Sequence, residues 1–295
     1  MTAEPLSKPP KPFAVWQIAL VFGAAVAAEV LLGGGLVLAC RAFAPSSGAA
    51  VSDFLFGPAG MALQIVLGST LLGGIAFAAS RLRGYSARDA LALRAPSAKV
   101  LALAAIGVIP VGVLCDEATF LAARLAPGAF GTGVLDQFSQ SFAAAPAPWF
   151  AALTAVVVIG PALGEELLFR GLILRGLAAK MSAVPAALAT ALLFGAIHFD
   201  ALQGLGAALI GAYLAFAALA SGSLWPAVAA HGVNNLLCAL SARYDPQGEG
   251  AAFDAGHPWP VLAASAAALA VIAFAMVRLS RGGAPGSRPD LGTTP

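Results

Sequence analysis

The stretch WFAALTAVVVIGPALGEELLFRGLILRGL, residues 149–177, decides the fold class of this protein. No charged residue precedes Glu165 in it, and a run of about 20 mostly apolar residues is what a helix needs to cross the hydrocarbon core of a bilayer. The charged residues then come close together, as Glu165, Glu166, Arg170 and Arg175. The segment therefore predicts a transmembrane helix that carries a polar cluster.

The composition of the whole chain supports the same fold class. Of its 295 residues, 60% are hydrophobic and only 10% are charged, and the mean hydropathy is +0.88. A soluble domain usually carries about 25% charged residues, so a chain of this composition could not cover a water-exposed surface. The sequence therefore excludes a soluble enzyme, a nucleic-acid-binding protein and a disordered chain. It predicts an integral, multi-pass membrane protein whose surroundings are the lipid bilayer.

Eight windows are long and apolar enough to be spans, which predicts an all-α, polytopic membrane helix bundle built as one domain over residues 1–280. The fourth window is expected to run on as a helix to about Leu177. The loop 125–148 is expected to hold a short amphipathic segment, and residues 281–295 to form a disordered cytoplasmic tail. The predicted spans are 14–40, 59–80, 99–124, 149–168, 183–199, 203–220, 224–241 and 260–278.

The distribution of lysine and arginine predicts the orientation of the bundle. With eight spans and the amino terminus inside, 13 of the 16 basic residues fall on the cytoplasmic side. Cytoplasmic loops carry such an excess, so both termini are predicted to be cytoplasmic. The richness in alanine, glycine and proline suggests a GC-rich genome and favours the cytoplasmic membrane of a prokaryote.

Three short motifs place ionisable or amide side chains inside apolar windows, where such residues usually face a cavity or a partner. They are GEELLFRG (164–171), FGAIHF (194–199) and HGVNN (231–235), on the fourth, fifth and seventh predicted spans. Glu29, in the middle of the first span, is expected to pair with another helix and is not assigned to the site. The three motifs can converge only through the tertiary fold.

The first motif separates two carboxylates. Glu166 and Arg170 are four residues apart and share a helix face, in the favourable acid-before-base order. Glu165 lies about 100° further round the helix, so Arg170 can neutralise one carboxylate while the other stays available for proton transfer. A structural ion pair at the cytoplasmic edge of the membrane is the competing interpretation.

The histidines of the other motifs also allow two interpretations. His231 and Asn235 lie one turn apart and offer two hydrogen-bond donors to one point, as stabilising an oxyanion requires; interhelical polar bonding is the alternative. His198 stands at the end of the fifth span, where a histidine often bonds a backbone carbonyl. Glu165, His198 and His231 together are also a set that could ligate a divalent metal such as zinc.

In this order and membrane context, the motifs resemble the signature of the CPBP family of intramembrane proteases. This family is also called the Abi or CAAX-protease family and includes the type II CAAX prenyl endopeptidases. The resemblance covers about residues 149–241. The signature EExxxR, FxxxH and HxxxN corresponds here to Glu165, Glu166 and Arg170, to Phe194 and His198, and to His231 and Asn235.

The resemblance implies a membrane-embedded endopeptidase that cleaves peptides or lipidated proteins, including prenylated CAAX-type substrates. It implies that Glu165 activates the hydrolytic water, that His198 orients this water, and that His231 and Asn235 stabilise the oxyanion. Supporting roles in the pocket fall on Glu166 and Arg170. Both a glutamate mechanism without a cofactor and a metal-dependent mechanism are compatible with these residues.

Two other function classes compete with the peptidase. One is a non-catalytic membrane protein of the same fold, such as a bacteriocin immunity or scaffold protein. The other, less favoured, is a proton-coupled transporter, since transporters also bury ionisable residues. The sequence shows no internal repeat and gives no prediction of the oligomeric state.

Overall fold

The computed structural model of the protein describes residues 13–43, 48–84, 86–126, 129, 133–244 and 256–281. Every regular element in these ranges is a helix, which confirms the predicted all-α class. The predicted disordered tail, 281–295, lies outside the described residues except for Arg281.

Within the described ranges the chain forms twelve α-helices and one π-helical segment. In chain order they are α1 (Val15–Phe43), α2 (Gly48–Leu55), α3 (Pro58–Leu82), α4 (Ala87–Ala90), α5 (Ala98–Leu125), α6 (Gly133–Ala144), α7 (Ala147–Glu166), the π segment (Leu167–Ile173), α8 (Leu174–Ala178), α9 (Ala183–Ala196), α10 (Ala201–Ser221), α11 (Trp225–Tyr244) and α12 (Trp259–Arg281).

In the described part of the chain, six helices are long and apolar enough to cross a membrane, which agrees with a multi-pass membrane protein. They are Val15–Ala42, Pro58–Leu82, Ala98–Leu125, Ala147–Ala178, Ala201–Ser221 and Trp259–Arg281. The two other predicted spans are helical but differ in kind. Helix α9 has 14 residues, fewer than the roughly 20 that a straight span needs. Helix α11 has 20 residues but includes the polar HGVNN motif. The count of eight spans therefore stays a prediction.

The fourth span is longer than its apolar window, as the sequence predicts. It runs without a break from Ala147 to Ala178, 32 residues, through the π segment. Its π turn is seen in the hydrogen bond from Leu174 N–H to the carbonyl of Phe169, five residues earlier. Such π turns are rare and occur mostly at functional sites. As a result, Glu165 and Glu166 lie near the middle of a long apolar helix and not at its end.

Small residues allow the helices around α7 to approach each other closely. At Gly164 the backbone of α7 lies against the backbone of Ser69 on α3, where a Cβ atom would overlap the Ser69 carbonyl. Gly195 on α9 lies in the same way against the carbonyl of Gly204 on α10. This close approach is typical of helix packing in membranes. Helix α11 also packs on α7, so α3 and α11 both flank the residues of the first motif.

A short loop closes the bundle beside the π segment. In this loop, residues 91–97, Leu91 is buried, and a Cβ atom on Gly171 would lie 3.1 Å from the Leu91 side chain. The Ala92 carbonyl accepts a hydrogen bond from Leu224 N–H at 3.0 Å, and the Ser223 hydroxyl donates to the Arg94 carbonyl at 2.6 Å. The loop thus ties the start of α11 to the π segment.

The amphipathic segment that the sequence predicts within 125–148 is present as α6. Its Phe142 is buried and contacts Phe150 of α7, with ring centroids 6.2 Å apart, whereas Gln137 and Gln140 are exposed. One face of α6 therefore packs on the bundle and the other does not.

Candidate active site

A buried ion pair forms the centre of the site. Arg170 Nη1 donates to Glu166 Oε1 at 2.7 Å, and neither side chain has any exposed surface. The predicted pairing at a spacing of four residues is therefore present. Burying two charges is costly, and a pair of this kind persists only when good geometry and further hydrogen bonds compensate for the lost hydration.

Arg170 finds those further contacts on two other helices. Its Nη2 donates to the Gly211 carbonyl on α10 at 2.9 Å, and its guanidinium lies over the Phe194 ring of α9, 4.3 Å from the ring centroid. A Cβ atom on Gly211 would come within 3.0 Å of both Arg170 and Phe194. Gly211 is therefore a residue of the site that the sequence analysis missed, since one glycine among many in an apolar helix carries no signal.

His231 joins the ion pair from α11. Its Nδ1 lies 2.9 Å from Glu166 Oε1. A carboxylate only accepts hydrogen bonds, so Nδ1 carries a proton, and in the neutral form of the ring Nε2 is then an acceptor. The sequence analysis assigned Glu166 to the support of the pocket and did not predict that it bonds this histidine.

Glu165 is the carboxylate that Arg170 does not neutralise. Its Oε2 lies 3.9 Å from His231 Nε2, which is beyond a direct hydrogen bond. Among the described residues, this buried oxygen has no hydrogen-bond partner. The division of the two carboxylates that the helix geometry predicts is thus present. A gap of this size between two polar atoms suits a bridging water or a reacting group.

His198 reaches this cluster through Phe194 and not by a direct hydrogen bond. It lies at the carboxyl-terminal end of α9, where its Nδ1 is 2.8 Å from the Phe194 carbonyl. The imidazoles of His198 and His231 both meet the Phe194 ring edge-on, at centroid distances of 5.1 and 5.9 Å. Because the carbonyl occupies Nδ1, the Nε2 atom of His198 is the one available for chemistry.

Asn235 lies at the edge of the cluster. Its Nδ2 donates to the Val157 carbonyl at 2.9 Å, and Val157 precedes Glu165 on α7 by about two turns. Asn234 Nδ2 approaches the Asn235 side-chain oxygen at 3.4 Å. One of the two amide hydrogens of Asn235 is thus committed to helix packing, which is the interhelical alternative that the sequence analysis left open.

The residues do not form a metal site as they stand. Among the described residues, no three histidine, cysteine, aspartate or glutamate side chains are grouped so that they could hold a metal ion, and this includes Glu165, His198 and His231. The Nδ1 atoms of both histidines already have partners. We therefore assign no step of the chemistry to a metal.

Comparison with known proteins supports the resemblance that the motifs indicate. A sequence model of the family described as type II CAAX prenyl endopeptidase Rce1-like matches residues 147–237. The match begins with α7, includes all three motifs and ends within α11. No curated protein and no solved structure matches the chain.

The matched family is a family of proteases, and the apolar helices that carry the motifs fit proteases of the membrane. Residues 147–237, which hold the buried cluster around Glu166, are therefore similar to the Rce1-like family of CAAX proteases, as the sequence motifs predict.

Proposed function

We propose that this protein is an intramembrane endopeptidase that hydrolyses peptide bonds in membrane-associated proteins or peptides, including prenylated CAAX-type substrates. The observation that carries the proposal is the position of His231 between two glutamates that differ in state. Glu166 is paired with Arg170 and bonds Nδ1, while Glu165 faces Nε2 and is not paired.

In this proposal Glu165 is the general base. A water between Glu165 Oε2 and His231 Nε2 donates a hydrogen bond to each, which directs an oxygen lone pair towards the substrate carbonyl. As the oxygen attacks, its proton passes to Glu165, and the carbonyl becomes a tetrahedral oxyanion. Glu165 then gives this proton to the departing amine nitrogen, so the carboxylate is regenerated when the peptide bond breaks.

The other residues of the motifs hold this geometry or contact the substrate. Glu166 is a positioning residue, because its bond to Nδ1 fixes the tautomer that leaves Nε2 as an acceptor. Arg170 holds the Glu166 carboxylate in place through their hydrogen bond of 2.7 Å. Asn235, through its remaining amide hydrogen, is the candidate for stabilising the oxyanion. His198 donates from Nδ1 to the Phe194 carbonyl, so in the neutral ring its Nε2 is an acceptor that would help to orient the water.

The test is hydrolysis of a panel of CAAX-type peptides, with and without an isoprenoid chain, by purified protein in lipid nanodiscs. Glu165→Gln should lower kcat by about 10²- to 10⁴-fold, the range that general base catalysis contributes. The matched control is Glu117→Gln, which makes the same chemical change at a carboxylate outside the three motifs. Glu117 lies on α5 and accepts a hydrogen bond from His257 N–H at 2.6 Å. If the wild type hydrolyses no peptide of the panel, a non-catalytic role replaces this proposal.

We also propose eight spans with both termini in the cytoplasm of a prokaryote, because this arrangement places 12 of the 15 basic residues other than the buried Arg170 on one side. Reporter fusions at each terminus test the orientation. Opposite locations for the two termini would contradict an even number of spans.

A further inference from the structure

The ring of Phe194 lies between three charged or polar groups of the candidate site, and the proposed mechanism gives this ring no role. Phe194 is on α9 and is 2% exposed. The guanidinium of Arg170, from the π segment, lies over the face of the ring at 4.3 Å from its centroid. The imidazoles of His198 and His231 stand nearly perpendicular to the same ring, at interplanar angles of 83° and 84°.

Phe194 is the contact that the two histidines have in common. In the described part of the chain, no hydrogen bond or ring contact joins His198 directly to His231. His198 donates from Nδ1 to the Phe194 carbonyl at 2.8 Å and packs on the Phe194 ring at a centroid distance of 5.1 Å. His231 is held by Glu166 through Nδ1 and meets the Phe194 ring at 5.9 Å. The position of one imidazole relative to the other is therefore set through this phenylalanine.

The ring itself is fixed by its surroundings. The Phe169 ring meets it edge to face at a centroid distance of 5.0 Å. On α10, an added Cβ atom at Gly211 would lie 3.0 Å from the Phe194 ring, so the ring is packed directly against the backbone of that helix. Side chains in an interior of this density stay in one rotamer. Phe194 is therefore a rigid wall on which the longer Arg170 side chain and the two imidazoles rest.

An aromatic ring gives this wall a property that an aliphatic side chain lacks. The face of the ring carries a negative potential and attracts a cation, most strongly where water is excluded. We propose that Phe194 is a positioning residue of the site. Its face holds the guanidinium that pairs with Glu166, and its ring fixes the two imidazoles relative to each other. The inference rests on the proposed function, which supplies the role of the histidines in orienting the water.

The first test reads the contact with Arg170 and does not depend on hydrolysis. Phenylalanine analogues with one, two and three ring fluorines are introduced at position 194 of the full chain, and unfolding is followed in mixed detergent micelles. Fluorine withdraws electron density from the ring face with little change in size, so stability should fall with each fluorine. With three fluorines the folding equilibrium constant should be about tenfold to thirtyfold lower, the scale of a desolvated cation–π contact.

The same series in Arg170→Met separates the charge of the guanidinium from the size of the ring. Without the guanidinium, stability should not depend on the number of fluorines. A series that shows no fall in the wild-type background would overturn the inference. A fall of the same size in Arg170→Met would also overturn it, because the fluorines would then act through their volume.

The second test is the effect of an aliphatic side chain on peptide hydrolysis. Phe194→Leu should lower kcat about 10²-fold, the scale of misplacing a reacting group by about 1 Å. KM should stay nearly unchanged, because the histidines act on the water and not on substrate binding. The matched control is Phe142→Leu on α6, since Phe142 is fully buried and packs against the rings of Phe138 and Phe150, outside the three motifs. This control should lose stability and keep kcat.

The outcomes separate a positioning role from packing and from failure of the proposed function. Equal kcat values in Phe194→Leu and Phe142→Leu would overturn the inference. The chain with one fluorine at position 194 keeps the shape of the ring, so it should retain most of the kcat that leucine loses. If Phe194→Leu does not fold, the fluorine series decides. Absence of hydrolysis by the wild type would overturn the proposed function, and the fluorine series would still decide whether the ring holds Arg170.

Discussion

Replacing Arg170 by methionine tests whether the buried ion pair holds the site together. The side chain has no exposed surface and makes three contacts: 2.7 Å to Glu166, 2.9 Å to the Gly211 carbonyl and 4.3 Å to the Phe194 ring. Methionine fills much of the volume but leaves the Glu166 carboxylate buried without its cation. Breaking a buried pair in this way costs about 3–5 kcal/mol, against a total stability of about 5–15 kcal/mol for a typical protein.

The second variant in this experiment separates charge from packing. In Glu166→Gln/Arg170→Met both charges are removed, and the glutamine carbonyl can still accept the hydrogen bond from His231 Nδ1. Replacing both members of a buried pair is often close to neutral. The double variant should therefore recover most of the stability that Arg170→Met loses, with a coupling energy of about 1–3 kcal/mol between the two positions.

The assay is unfolding of the purified variants in mixed detergent micelles, followed by circular dichroism. Arg175→Met is the matched control, because Arg175 lies on the same continuous helix and is only partly buried. A double variant no more stable than Arg170→Met would refute the reasoning, since the loss would then come from packing on Phe194 and not from an unpaired Glu166. Equal losses in Arg175→Met and Arg170→Met would refute it as well.

Three further predictions concern the surroundings of the site. Gly211→Ala should destabilise the protein by about 1–3 kcal/mol, because the added Cβ would lie 3.0 Å from Arg170 and Phe194. The control in the same unfolding assay is Gly112→Ala, since a Cβ at Gly112 would meet no atom within 4 Å. Equal effects of the two substitutions would contradict the close approach at Gly211. Peptide hydrolysis should be unchanged by a chelator, because Glu165, His198 and His231 are not grouped as ligands; loss of activity that zinc restores would contradict this. Outside the spans, hydrogen bonds from Ser86 and then from Arg94 hold the pKa of the exposed Asp89 below its usual value. The lowered pKa stabilises α4 above the ordinary aspartate pKa, and this stabilisation is lost as the pH falls through the lowered pKa. Amide hydrogen exchange in α4 should therefore become faster in acid, and Asp89→Asn should remove this acid dependence. An acid dependence that persists in Asp89→Asn would assign it to another group.

The sequence predicted those parts of the site that depend on a single helix. The pairing of Glu166 with Arg170 follows from a spacing of four residues, and the separate direction of Glu165 follows from the angle between neighbouring residues. Apolar windows likewise predicted a helix at each of the eight positions, because in lipid the backbone must satisfy its own hydrogen bonds.

Contacts between helices could not be predicted in the same way. The bond from His231 to Glu166 joins residues 65 apart, and that from Asn235 to Val157 joins residues 78 apart. These bonds form only if α11 crosses α7 at the right position along the helix axis. Small residues such as Gly232 and Ala162 allow the two helices to approach each other, but they do not determine this position. The placement of His198 against Phe194 could be predicted from a four-residue spacing, but the contact of Phe194 with His231 could not.

The cost of burying charge is the reason that Glu165, and not Glu166, is the base in the proposed mechanism. Glu166 accepts hydrogen bonds from Arg170 and His231 through the same oxygen, and its charge is compensated. A carboxylate held in this way is a poor base, because taking a proton would break the pairing that makes its burial tolerable. Glu165 has no such pairing, so accepting a proton relieves the cost of its charge. The arrangement that stabilises Glu166 and orients His231 therefore leaves Glu165 as the group in the cluster that gains by taking a proton from water.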